Sequence, residues 1–268
     1  MSDAALIPER VDEVLLHGEL SILGRLVDAS NATLLAEATL EGDVLQCVYK
    51  PSAGERPLWD FPNGDLAQRE VATSLLSRAL GWSLVPRTVL RHSGPYGGGM
   101  VQQWIDVDAE IDYVDVVAPN AVPEGWRAVL EARDGEGNPV VLVHADIEPL
   151  QQLAVLDAIC NNGDRKGGHV IADSAGAVFG IDHGVTWHVD DKLRTVLWGW
   201  ADSELPDAAV SAVTDLVSRW DVETKPILGE LLSEAEVDAA HSRAKELIAR
   251  GRFPLPSPEW PAIPWPVF

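Results

Sequence analysis

The chain has 268 residues, 46% hydrophobic and 23% charged, enough for one large domain or two lobes sharing a cleft. Lys and Arg number 20 against 42 Asp and Glu, a net charge of -22. Such a surface repels phosphate backbones and anionic headgroups, which argues against nucleic acid and against a membrane as the main partner. No apolar run approaches the about 20 residues needed to span a bilayer. The opening MSDAALIPER lacks the basic-then-apolar pattern of a secretory leader. Cys47 and Cys160 each lie in an apolar run, as expected of reduced, buried thiols in a cytoplasmic protein.

Residues 8–17 have helical spacing, with Val11, Val14 and Leu15 on one face. Three strand-like runs follow at 19–27, 32–40 and 44–50, separated by the turns Asp28–Asn31 and Glu41–Asp43. A Pro/Gly/Asp-rich loop over 51–65 precedes an amphipathic helix over 66–81 that ends on Gly81. Residues 87–92 and 100–105 read as strands flanking the flexible turn 94–99. The first 105 residues thus read β-β-β-α-β-β, an order suited to an antiparallel sheet with one helix packed on it.

Residues 106–146 are less regular, with a hairpin over 126–146 around Asp134–Asn138. Residues 147–161 are helical and apolar on most of the surface, hence buried. Two short strands, 168–173 and 177–184, flank a Ser-Ala-Gly turn, and helices fill 203–250, most clearly 233–250. The tail 253–268 is rich in Pro and Trp and is expected to lie extended, capping the C-terminal helices. The division is 1–105 as an N-lobe, 106–252 as a C-lobe and 253–268 as a tail.

The stretch Asn161-Asn162-Gly163-Asp164-Arg165-Lys166-Gly167-Gly168-His169 follows the buried helix and precedes a strand. Ile181-Asp182-His183-Gly184 leaves the next strand. A hairpin between them would bring Asp164, His169 and Asp182 to one end. Phosphoryl transfer needs such a set: one carboxylate to orient the attacking hydroxyl, another with a neighbour to hold a metal, and a cation near the γ-phosphate. Taken singly, Asp164 and Asp182 read as turn or capping residues, and it is the pair at this spacing behind a buried helix that points to function. His169 is either a metal ligand or a core histidine.

These motifs resemble the phosphatidylinositol 3-/4-kinase-related families, in a bacterial branch. Asp164-Arg165-Lys166-Gly167-Gly168-His169 resembles the family's Asp-Arg-His-x-x-Asn catalytic loop. Asp182-His183-Gly184 resembles its Asp-Phe-Gly-type metal motif. The resemblance covers about residues 18–187 and implies an α+β, two-lobed kinase-like fold, with an antiparallel-sheet N-lobe bearing one helix and a mainly helical C-lobe. It implies ATP as cofactor with Mg²⁺ or Mn²⁺ held by Asp182 and His169. Asp164 is implied as the catalytic carboxylate, with Lys166 and Arg165 beside it. Lys50 would bind phosphates and be positioned by Glu70, and the turn bearing Ser30 and Asn31 would cover them. Gln103, Trp104 and Ile105 would form the hinge to adenine. Lys166 and His169 depart from the family's histidine and asparagine. Arg165 is read either as neutralising substrate phosphate or, preferably, as pairing with a buried carboxylate inside the loop. Glu70 could instead pair with Arg69 or Arg78 on the surface.

The implied activity is ATP-dependent phosphoryl transfer to a soluble acceptor: a polyol, a sugar alcohol or a protein hydroxyl. Two other classes stay open: a pseudokinase that binds a nucleotide or partner without transfer, and an AMP transferase on the same lobes.

Overall fold

The computed structural model describes residues 6–26, 32–55, 58, 60–61 and 66–268. Helix α1 (Pro8–His17) leads into strands β1 (Glu19–Arg25), β2 (Leu34–Leu40) and β3 (Asp43–Pro51), then helix α2 (Leu66–Ala79) and strands β4 (Thr88–Arg91) and β5 (Gly99–Gln103). The strands form one antiparallel sheet in the order β1-β2-β3-β5-β4. The β2–β3 turn is a two-residue one in which Glu41 and Gly42 have φ of 53° and 96°. Positive φ at both central residues matches the twist of the paired strands.

Side-chain parity sorts this sheet. Cys47 and Tyr49 of β3 face α1 and join Val11, Val14, Leu15, Ala36, Ala38 and Val101 in one apolar cluster. The alternate residue, Lys50, lies opposite Met100 of β5, and Met100 packs against Ala67 and Val71 of α2. The two-residue period therefore aims Lys50 at the helix that carries Glu70. The sheet has a helix on each face, where the sequence pattern placed only one.

Strands β6 (Val114–Val117), β7 (Trp126–Arg133) and β8 (Pro139–Ala145) form a second antiparallel sheet in the order β6-β8-β7. Helix α3 (Glu148–Cys160) buries Leu150 and all of Leu153–Cys160, so its nearly uniform apolarity reflects contact on all sides. Strands β9 (Val170–Ala172) and β10 (Val178–Gly180) form the short hairpin beyond it. Helices α4 (Asp207–Arg219), α5 (Lys225–Leu228) and α6 (Glu234–Arg250) complete a helical C-terminal part. A capping box between Ser233 and Glu236 starts α6, and Gly251 at φ 62° ends it. The fold is α+β, with an antiparallel-sheet N-terminal region and a helical C-terminal part. Among the described residues no helix is long and apolar enough to cross a membrane. Cys47 and Cys160 are free and buried.

Residues 253–268 contain no helix or strand. Phe253 is buried and stacks on Trp200. Farther on, the tail crosses the loops after α3. Ala262 O accepts from Thr195 N–H and Trp198 Nε1–H, and Val267 O accepts from Gly167 N–H at 2.7 Å. The tail thus seals loops as well as helices.

Candidate active site

Lys50 is the centre of a three-residue ion cluster. Its Nζ lies 2.6 Å from Glu70 Oε1 and 3.1 Å from Asp182 Oδ1. Burial alone pulls the Lys50 ammonium down, but Asp182 and Glu70 outweigh it and hold the pKa above the lysine value. Burial pushes the Glu70 carboxyl up, against the pull of Lys50. Lys50 in turn holds the Asp182 carboxyl well below the usual range, over the opposing effect of burial. The surface partners considered for Glu70 are engaged elsewhere: Arg69 pairs with Glu236 and Arg78 with Asp12.

Asp182 has φ 57°, a left-handed conformation rare for residues other than glycine. Held there, it points one oxygen at Lys50 and the other toward His169, whose Nε2 is 3.5 Å from Oδ2. Burial lowers the His169 pKa, against the attraction of Asp182, so the imidazole is neutral near pH 7. Its Nδ1 is buried with no hydrogen-bond partner among the described residues. A neutral nitrogen and an ionised oxygen 3.5 Å apart can share one cation, since metal bonds to such donors run about 2.0–2.2 Å. The donor set therefore fits a divalent ion completed by phosphate oxygens and water. The described residues hold no cluster of three or more His, Cys, Asp or Glu that would cage a metal unaided.

Asp164 lies across the cleft, its Oδ2 3.3 Å from Lys166 Nζ. The loop carrying it is fixed from beneath. Asn161 ends α3 at φ 56°, and its amide donates to His188 O and Asp190 O and accepts from Lys192 N–H. Asn162 bonds Asp157 Oδ1 and accepts from Asp164 N–H. Gly163 N–H donates to Val185 O, and Gly163 O accepts from Arg194 Nε.

Arg165 does not reach the cleft. Its side chain and that of Asp157 are both 0% exposed. Nε and Nη2 take the two oxygens of Asp157 at 2.8 and 2.9 Å, Nη1 donates to His169 O and Ile181 O, and Nη2 donates to His183 Nε2. A group so enclosed cannot touch a substrate, so its place beside the catalytic residues is corrected to the buttress role. One guanidinium joins the buried helix, the loop of Asp164 and the approach to Asp182.

Lys50, Glu70, Asp164 and Asp182 line one cleft of about 530 Å³. Lys166 and His169 touch its Asp164 and Asp182 without lining it, and Gln103, Trp104 and Ile105 do not line it. The N–H groups of Gln103 and Trp104 donate to Arg87 O and Gln46 O, so the expected adenine donors at these two positions are already committed. Trp104 Nε1 bonds Asp106. Ser30 and Asn31 lie outside the described residues.

Sequence reasoning missed several residues of the site, Asp60 among them. Asp157 is an acid within an apolar helix, a signal that could have named the partner of Arg165. Glu55 accepts from Leu66 N–H and Ala67 N–H and so caps α2 from a loop eleven and twelve residues away, beyond any local pattern. Arg194 and Trp260 also line the cleft, from a part of the chain that carries no motif.

No family model matches this chain. Among solved structures it is similar to the proinflammatory kinase CtkA of Helicobacter pylori, 11% identical with a TM-score of 0.46 over 88% of this chain and 93% of that one. Among curated proteins it is similar to Protein Rv2133c of Mycobacterium tuberculosis, 46% identical over 264 residues, 95% of this chain and 94% of that protein. At that identity and coverage, the chain belongs to the family of Rv2133c.

Proposed function

We propose that this chain is an ATP- and divalent-metal-dependent phosphotransferase with a kinase-type division of labour, acting on the hydroxyl group of a soluble acceptor. The observation that carries it is the Lys50–Glu70–Asp182 cluster, built from a strand, a helix and a loop of distant sequence and facing Asp164 across one cleft. A buried glutamate that holds a lysine against an aspartate of depressed pKa is a costly arrangement, and phosphate binding gives it a purpose. Lys50, fixed by Glu70, binds the α- and β-phosphates of ATP. Asp182 and His169 would hold Mg²⁺ or Mn²⁺, which would supply positive charge to offset that of the triphosphate. Asp164 accepts the acceptor's proton and orients its oxygen. Lys166 compensates the charge of the transferring group. The nucleotide lies between lobes 1–105 and 106–252.

Calorimetric titration with ATP, with and without Mg²⁺ or Mn²⁺, tests this. Metal-dependent binding is expected, and Asp182→Asn abolishes it. With an acceptor in hand, Asp164→Asn lowers kcat by about 10²–10⁴-fold. Full transfer by that variant refutes the role given to Asp164. Nucleotide binding without turnover marks a pseudokinase, and a product heavier by AMP rather than phosphate marks an AMP transferase. No nucleotide binding by the folded protein ends the proposal.

A further inference from the structure

Among the described residues five carboxylates line the cleft, and each is engaged. Glu55 caps α2, Glu70 and Asp182 share Lys50, Asp164 faces Lys166, and Asp60 Oδ2 lies 2.9 Å from Lys192 Nζ. Two described cations line it, Lys50 and Arg194. Lys50 is doubly paired. Among the described residues Arg194 makes no ion pair, and only its Nε is bonded, to Gly163 O at 2.5 Å. Arg91, Arg133 and Arg243 also make no ion pair among the described residues, but of these arginines Arg194 is the one that lines the cleft.

The surroundings hold this guanidinium in place. Its central carbon lies 5.8 Å from the ring centroid of Trp260, and Lys192 Nζ lies 4.8 Å from the same ring. The Trp260 indole N–H is buried with no partner among the described residues. Because Nε is tied to the residue before Asp164, the two terminal nitrogens keep a fixed offset from that carboxylate. A planar fork with open donors matches carboxylate and phosphate oxygens in a bidentate manner.

Building on the phosphotransfer reading, we propose that Arg194, walled by Trp260, anchors the acceptor, and that the acceptor is a small hydroxyl compound bearing a carboxylate or phosphate group. The anion docks on Arg194 and the hydroxyl reaches Asp164. The acceptor oxygen attacks the γ-phosphorus, and the bond to the β–γ bridging oxygen breaks with its electron pair leaving on ADP. The acceptor's proton passes to Asp164.

The test uses the full chain with Mg²⁺ and a β,γ-imido ATP analogue, titrated with glycerol, glycerate and glycerol 3-phosphate. The acidic probes are expected to bind at least tenfold more tightly than glycerol. Arg194→Gln removes that preference while analogue affinity shifts less than twofold, which also shows the cleft intact. Arg194→Lys restores the charge without the fork and keeps part of the preference. The proposal is overturned if the wild type shows no preference while the analogue binds. It is also overturned if Arg194→Gln weakens the analogue tenfold, which would assign Arg194 to the nucleotide. If the analogue fails to bind but the Arg194-dependent preference persists, the phosphotransfer reading falls and the anion subsite stands. If neither binds, both fall.

Discussion

Replacing Asp157 with asparagine keeps the side chain's size and removes its charge at the one place where Arg165 depends on it. Both side chains are fully buried, and the carboxylate receives two guanidinium bonds and the amide of Asn162. In the variant one carboxylate oxygen becomes an NH₂ facing either a guanidinium or another amide, and the arginine charge stays enclosed. Removing one member of a buried pair costs about 3–5 kcal/mol, against a total stability of about 5–15 kcal/mol for a typical domain. The folded fraction therefore falls by a factor of more than about 100 relative to the unfolded. Urea unfolding followed by the fluorescence of the buried tryptophans, Trp187, Trp200 and Trp220, and by far-ultraviolet circular dichroism, reads the loss. The double variant Asp157→Asn/Arg165→Met removes the stranded charge, and its loss is expected to fall short of the summed singles by about 2 kcal/mol or more. A loss below about 1 kcal/mol in Asp157→Asn, or strict additivity, would refute the buttress role.

Acid should weaken the fold through its buried histidines. His144 donates from Nδ1 to Ala145 O and accepts at Nε2 from Gly199 N–H, and burial pushes its pKa down from 6.5 to about 4. Between these values the unfolded chain binds the proton and the folded chain does not, so stability rises with pH and falls on acidification, by about 2 kcal/mol at pH 5. His169 and His183 are shifted in the same direction by burial and add to the slope, which urea midpoints at pH 7 and pH 5 measure. A His144→Gln variant should show a shallower dependence. Asn161→Ala loses three side-chain bonds and places alanine at φ 56°, for an expected loss of about 2–4 kcal/mol. Asn161→Gly relieves the backbone part, and thermal melts should place it about 1 kcal/mol above the alanine variant.

The elements that the sequence announces are those with local causes. The period of two aims Lys50 away from Cys47 and Tyr49, and the amphipathic run at 66–81 is α2, carrying Glu70 toward it. Helix α3 and the hairpin of β7 and β8 declare themselves by apolar runs and a Gly-rich turn. Strand β6 is only four residues long and half exposed, too short to leave an alternation. The tail's docking on Gly167 depends on main-chain acceptors, which no residue type encodes. Asp157–Arg165 was half legible: the need for a buried acid was foreseen, its position was not. The commitment of the Gln103 and Trp104 N–H groups to neighbouring strands is a matter of sheet register and could be seen only once β3, β4 and β5 were placed. Arg194 gains meaning from lacking an acid partner among the described residues, a property invisible until the nearby carboxylates are accounted for.

Helix α2 is gripped from two sides, with ten of its fourteen residues buried. Ala72 and Leu76 belong to the large C-terminal core, while Ala67 and Val71 rest under the sheet. Arg69 bonds Thr186 O and Glu236, and Trp187 Nε1 bonds Thr73. An outward swing of this helix, which would part Glu70 from Lys50, would have to pull apolar surface and a paired arginine out of the C-terminal half together. The Lys50–Glu70 ion pair is therefore braced by both halves of the fold, like a strut pinned at its two ends, and a change in either half would be felt at the cleft.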